Sequence, residues 1–178
     1  MRPRSLLLPL SLSLLLGVAG CDAGDHDHDV IGNDVVVVNF SFDGSDLDVN
    51  TDATVGSYQR SVSAITDDIF DEGAVLLYAD GELILDGGAG TWTALPVTQG
   101  VDLDDDLIVD YTLTFTYSYD VGDLYVDIIS SATGTVFEDL PRTDFKLIVI
   151  AGGPSGTLRG VDRTNYEAVR QALGIAAE

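Results

Sequence analysis

The chain has 178 residues, with 30 acidic against 8 basic side chains, a net charge of −22 and a single cysteine. That length supports one domain with a proper core, and the charge disfavours nucleic acid and anionic headgroups as partners, since both repel an acidic surface. One cysteine excludes an internal disulfide. The only histidines, His26 and His28, stand close to the start, so the body of the chain has neither a Ser-His-Asp triad nor a histidine metal site.

Arg2 and Arg4 open the chain, and Leu6 to Leu16 is an apolar run broken by Pro9, Ser11 and Ser13. Spanning a hydrocarbon core takes about 20 apolar residues, so this run reads as a targeting segment. It ends in Val18-Ala19-Gly20-Cys21. These four residues resemble the lipobox of bacterial lipoproteins. The resemblance implies cleavage before Cys21, acylation of its sulfur and new amino group, and a membrane partner reached through that lipid. Residues 1–21 are then a signal, and losing Arg2 and Arg4 leaves 6 basic against 30 acidic residues, a balance of −24. Acidic residues just after the cysteine, here Asp22, Asp25, Asp27 and Asp29, resemble a surface-export signal in some bacterial groups. In enteric bacteria an Asp directly after it resembles a signal for retention at the inner membrane. The expected location is the outer membrane with surface exposure, and the alternative is the periplasmic face of the inner membrane.

Residues 22–33 read as a disordered acidic tether, too polar to bury a core. Its Asp25-His26-Asp27-His28-Asp29 alternation could chelate an ion, but a solvated linker is the preferred reading. Val35 to Phe42 is a first strand, with Val38, Phe40 and Phe42 on one face. Asp46, Asp48, Asn50 and Asp52 recur at every second place, like the start of an EF-hand loop. The glycine and glutamate that such a loop needs are missing, which favours a loop or strand edge with an acidic outer face. Ser57 to Ile65 reads as a strand with Tyr58, Val62 and Ile65 inward. Thr66 caps one helical turn that Gly73 closes.

Ala74 to Ala79 is a buried strand, Asp80-Gly81 a turn, and Glu82 to Asp86 a returning strand. Gly87 to Gly90 connects to Thr91–Leu95, which carries Trp92 and ends at Pro96. From Leu107 to Asp120 apolar and aromatic residues hold the odd places while polar ones hold nearly all the even places. That period of two predicts a strand with one dry face, long enough to need a bend or bulge. Leu124 to Ser130 returns as its hairpin partner. Thr143 to Ala151 is apolar on both sides and should lie centrally. Gly152 to Gly156 lacks the lysine and helix start of a phosphate loop and reads as an exit loop. Asp162 or Thr164 is expected to cap a last helix ending at Leu173, with Tyr166, Val169 and Leu173 as its apolar stripe.

These elements predict an all-β fold: an antiparallel β-sandwich of about seven strands over 34–153, with a short linking helical turn, then an exit loop and C-terminal helix over 154–178. The signatures Gly73-Ala74-Val75-Leu76-Leu77-Tyr78, Trp92 with Leu95-Pro96, Tyr117 with Val121-Gly122-Asp123-Leu124, and Asn165-Tyr166-Glu167-Ala168-Val169 resemble a group of uncharacterised bacterial lipoproteins, mostly from the Bacteroidota. That resemblance covers most of the mature chain and implies a small secreted β-sandwich on display at the surface; it brings no catalytic residues with it.

Function is expected to be binding or assembly without catalysis, through loops such as Gly87 to Gly90 and Gln99 to Asp106, with a surface protein or glycan as partner. No cofactor is expected. Calcium is the alternative, held by Asp102, Asp104, Asp105 and Asp106, or by Asp46, Asp48, Asn50 and Asp52. The acid is spread along the whole chain, which favours adaptation to high salt over a dedicated ion site. A carboxylate-pair hydrolase is a third reading, but no pair stands out among so many aspartates.

Overall fold

The computed structural model describes residues 28–30, 34–80, 91–104, 106–138, 140–152 and 158–177. The signal and its lipobox, most of the spacer, the expected strand Glu82–Asp86 and the connection Gly87–Gly90 lie outside the described residues. So do Asp105 and most of the exit loop. No helix among the described residues is long and apolar enough to cross a membrane.

Ten strands form among the described residues: β1 His28–Val30, β2 Val35–Phe42, β3 Asp48–Val49, β4 Val55–Ser61, β5 Ala74–Asp80, β6 Trp92–Ala94, β7 Val97–Val101, β8 Tyr111–Asp120, β9 Asp123–Ser130 and β10 Thr143–Ile150. Two helices join them, α1 Asp67–Glu72 and α2 Tyr166–Leu173. The strands make two antiparallel sheets, ordered β1-β2-β10-β5-β6 and β3-β4-β9-β8-β7. The expected sandwich is thus present. Its three shortest strands, β1, β3 and β6, all lie at sheet edges, where short strands limit unwanted pairing.

The first sheet has two dry faces. Val38, Phe40 and Phe42 of β2, Leu77 and Ala79 of β5, and Phe145, Leu147 and Val149 of β10 face the second sheet. There they meet Leu113 and Phe115 of β8 and Leu124, Val126 and Ile128 of β9. Rings of Phe42, Phe145 and Phe40 stack at 4.6 and 5.3 Å between centroids, and Tyr58 of the second sheet stacks on Phe42 at 4.4 Å. On the outer face Val35, Val37, Tyr78, Ile148 and Ile150 pack against Leu158, Tyr166, Val169, Leu173 and Ile175. The molecule therefore has three layers: α2 with its flanks, then sheet, then sheet.

Four local departures from the sequence reading have physical causes. Residues His28–Val30, within the stretch expected to be a disordered tether, pair with β2 (Val30 opposite Val36), completing the backbone ladder on an edge that would otherwise be bare. Val97–Val101 is a strand, so Gln99 to Val101 belongs to β7 and the loop proper starts at Asp102. The long strand starts at Tyr111: Leu107, expected in it, takes a positive φ of 69°, and the N–H groups of Leu107 and Ile108 go to the Asp102 and Asp106 carboxylates. Asn165 caps α2 in place of Asp162 or Thr164: its side chain accepts from the N–H of Ala168 at 3.1 Å. The Asp162 carboxylate is engaged by the hydroxyl and N–H of Thr164, at 2.7 and 3.0 Å. Gly174 ends α2 at φ 70°, the left-handed conformation that a glycine reaches without strain.

Gly44 sits in a short 3-10 turn where its N–H donates to the Leu140 carbonyl at 3.1 Å, and a β-carbon there would overlap the carbonyl oxygen of Phe137. Gly44→Ala is therefore expected to destabilise the fold by more than about 1 kcal/mol. Leu124→Ala, at a fully buried position, should cost about 2–5 kcal/mol, while Ile129→Ala, at 44 % exposure, should cost well under 1 kcal/mol. Urea denaturation of the three variants checks the order; a costlier Ile129 change contradicts the assigned faces of β9.

Candidate functional site

The end of the sandwich near Thr143 carries two adjoining features, an acidic loop and an apolar cleft. The loop is the β7–β8 connection. Asp110 Oδ2 accepts from the N–H of Leu103 at 2.8 Å, and Asp102 Oδ2 accepts from that of Leu107 at 2.7 Å. Asp106 Oδ1 accepts from Ile108 N–H at 2.8 Å, and the Asp110 N–H reaches the Val101 carbonyl at 2.8 Å. Carboxylates thus take N–H groups that a longer strand would have paired, which is the reason β8 begins late. With the backbone held this way the aliphatic side chains point outward: Leu103 is 71 %, Leu107 94 %, Ile108 66 % and Val109 57 % exposed. Leu107 and Val109, read from the alternation as dry-face residues, are instead part of this tip.

Carboxylate oxygens of Asp102, Asp104 and Asp106 lie within 4.8 Å of one another. Three like charges this close repel unless salt or a cation offsets them, and an all-carboxylate set of oxygens suits a hard divalent ion such as calcium. The fourth expected member, Asp105, lies outside the described residues. The other proposed set is dispersed into local structure. Asp46 Oδ2 accepts from the Asp43 N–H at 3.1 Å in a capping box, Asp48 lies in β3, and Asn50 Oδ1 accepts from the N–H groups of Thr54 and Val55 at 2.8 and 3.0 Å.

The cleft, of about 290 Å³, opens between β7–β8 and the segment from Val136 to Thr143. Val101, Leu103, Leu113, Phe115, Val136, Leu140 and Pro141 give it apolar walls, and Gln99, Tyr111 and Thr143 add polar atoms. The sequence reading missed the cleft because it missed β7. The available signal was the alternation Val97, Gln99, Val101 after Pro96, which repeats the register of Phe115, Leu113 and Tyr111 opposite.

A second hollow, lined by Thr91, Trp92, Asp162 and Glu167 among others, lies beside α2. Near it Lys146, the only lysine of the chain, is 1 % exposed with its Nζ 4.3 Å from the Trp92 ring centre and 5.1 Å from that of Tyr166. Both distances suit cation–π attraction.

Titration marks structural carboxylates here. The Ser45 hydroxyl, then its N–H, holds Asp43 below the ordinary carboxylate range; Thr164 does the same for Asp162, and the Arg170 side chain for Glu167. A general acid needs the opposite shift; Asp43 caps the Gly44 turn, Asp162 closes a turn onto Thr164 and Glu167 pairs with Arg170. Burial pushes the Tyr78 and Tyr117 hydroxyls up, and they donate to the carbonyls of Arg163 and Val75 at 2.7 and 2.9 Å.

No protein-family model, curated protein or solved structure matches this chain.

Two measurements follow from the acids. Melting in calcium chloride and in sodium chloride at equal ionic strength should raise the Tm equally if screening is the only effect, which is the expected result for a surface adapted to salt. A surplus in calcium that disappears in Asp104→Asn/Asp106→Asn assigns an ion to the loop. Because the folded Asp43 and Asp162 titrate below the ordinary value of 3.8, they stabilise the fold fully above that value. Their contribution is lost as pH falls through the lowered folded values. Ser45→Ala should flatten this acid limb of a stability-against-pH curve and leave the neutral limb parallel to that of the unsubstituted chain.

Proposed function

We propose that the chain is a lipid-anchored protein of the bacterial cell envelope whose sandwich serves as a non-enzymatic binding or assembly module. The anchor is Cys21, acylated and embedded in the outer membrane, with the domain exposed at the surface. The observation that carries the binding half is the locked tip: four exposed aliphatic side chains, Leu103, Leu107, Ile108 and Val109, beside an apolar cleft on an otherwise strongly acidic chain. Exposed aliphatic side chains concentrated in one short loop, where single scattered ones are the norm, support an interaction site. The acid spread over the rest keeps the body hydrated and separate from its neighbours in concentrated salt. The resemblance to Bacteroidota lipoproteins supports display outside the cell over retention at the inner membrane.

A second reading, a calcium-binding surface domain, is favoured by the convergence of Asp102, Asp104 and Asp106. It shares the anchor and the fold, and the paired melting curves decide it.

Two or three acyl chains, at about 0.8 kcal/mol per buried methylene, hold a protein firmly in a bilayer. Growth with labelled palmitate should therefore label the chain, and Cys21→Ala should abolish the label and release the protein from the membrane fraction. Protease added to intact cells should remove the anchored form. Protection from that protease, with the label retained, moves the protein to an inward-facing leaflet.

A further inference from the structure

The cleft reaches from the surface into the core between the sheets. Leu103, 71 % exposed, stands at its mouth, whereas Leu113 and Phe115 of β8 and Thr143 of β10 are 5 %, 2 % and 1 % exposed. Its volume is about 290 Å³. An apolar cavity of roughly 150 Å³ admits a benzene, so this one has room for a ligand of about 8–12 non-hydrogen atoms. None of the described residues that line it carries a charge. An ion seated there would leave water without a partner of opposite sign among them, which burial penalises heavily. An uncharged ligand meets no such penalty and gains by burying its apolar surface. One polar group belongs to the floor. Thr143 shares the inner face of β10 with Phe145, Leu147 and Val149. Its hydroxyl donates to the Pro141 carbonyl at 3.1 Å, which spends the proton and leaves the oxygen able to accept. A buried acceptor in an apolar seat favours a ligand that brings one O–H donor. Gln99 and Tyr111, also neutral, are half-buried in the walls.

We infer that the cleft binds an uncharged, mainly apolar alcohol, its hydrocarbon part between β8 and the segment from Val136 to Pro141 and its hydroxyl donating to Thr143 Oγ1. This rests on the reading of the domain as a binding module and names its ligand class. A fatty acid or an alkylammonium ion of the same length fits the walls equally well, but its charge has no counterpart there. Neither contact made by the alcohol is ionic, so salt does not weaken its binding.

The full chain in phosphatidylcholine nanodiscs, with empty discs as reference, should bind 1-octanol saturably at one site. Octanoate and octyltrimethylammonium should each bind about tenfold more weakly or worse, measured at high salt so that surface attraction of the cation is screened. Heptyl methyl ether, an isomer of octanol without the donor, should bind about three- to tenfold more weakly. Thr143→Val should close the gap between octanol and the ether. Val136→Trp fills the cleft from a half-buried position and should abolish binding of octanol. Leu140→Trp serves the same purpose if the first variant fails to give a native near-ultraviolet spectrum. Binding of either ion as tight as that of octanol, or octanol binding unchanged in the filled variants, overturns the inference. An octanol–ether gap that survives Thr143→Val overturns the place assigned to the hydroxyl. A chain that takes up palmitate at Cys21 yet ignores octanol loses the ligand and keeps the anchor. A chain that binds as expected but is never acylated keeps the ligand and loses the envelope.

Discussion

Everything in this fold depends on covering the first sheet on both faces. Every residue of β10 except Asp144 is buried, and its neighbours β2 and β5 are nearly as dry. A strand in that position cannot alternate; it must be apolar throughout, as Leu147-Ile148-Val149-Ile150 and Val35 to Val38 are. The inner face finds its cover in the second sheet. The outer face finds it in α2, so the C-terminal helix completes the core. Without it Val35, Val37, Tyr78, Ile148 and Ile150 would meet water, at about 1.5–3 kcal/mol for each large side chain. Lys146 lies on the same face, and its ammonium is accommodated by the rings of Trp92 and Tyr166, so one cation ties β10 to β6 and α2.

The second sheet obeys a different rule. Its inner residues are as dry as those of the first, but its outer face meets solvent. Ser57 donates to Asp127 at 2.6 Å and Ser61 to Asp123 at 3.1 Å across the β4–β9 pair, while the hydroxyls of Thr98 and Thr114 meet at 2.9 Å across β7–β8. Cross-strand polar pairs of this sort add a few tenths to about 1 kcal/mol each and give the acids fixed partners. The two faces of the sandwich therefore differ in kind: one is capped by a helix, the other is a hydrated, acidic surface.

That difference explains what was legible in the sequence. The second sheet's alternation from Leu113 to Tyr119 and from Leu124 to Ile128 carries its own register, so the β8–β9 hairpin could be read directly. Unbroken apolar runs identified β2, β5 and β10 and placed β10 centrally, because only a strand covered twice can be written that way. Pattern failed where side chains replace the ladder. Leu107 and Val109 keep the odd-place rhythm, yet the carboxylates of Asp102 and Asp106 take the nearby N–H groups and turn that segment out of the sheet. β7 was missed for the opposite reason: Thr98-Gln99-Gly100 has turn-like composition, and its pairing with β8 decides its conformation. The Asp cluster at 102–106 was legible as composition, whereas the cleft beside it was not, since its walls come from strands and a segment far apart in sequence.

The acids of this chain do more than charge its surface. At Asp43, Asp162 and Asn50 a short side chain closes a turn by accepting from backbone N–H groups nearby, as such residues do wherever a helix or ladder does not claim those donors. The 102–110 loop uses the same chemistry three times within nine residues, through Asp102, Asp106 and Asp110. A loop held from within by its own carboxylates leaves most of its aliphatic surface to solvent. Elsewhere in a chain this acidic, exposed leucine and isoleucine would be tolerated singly; here four such side chains gather at one tip, next to the cleft. The carboxylates that fix this backbone are therefore the reason that aliphatic side chains collect at one solvent-facing tip.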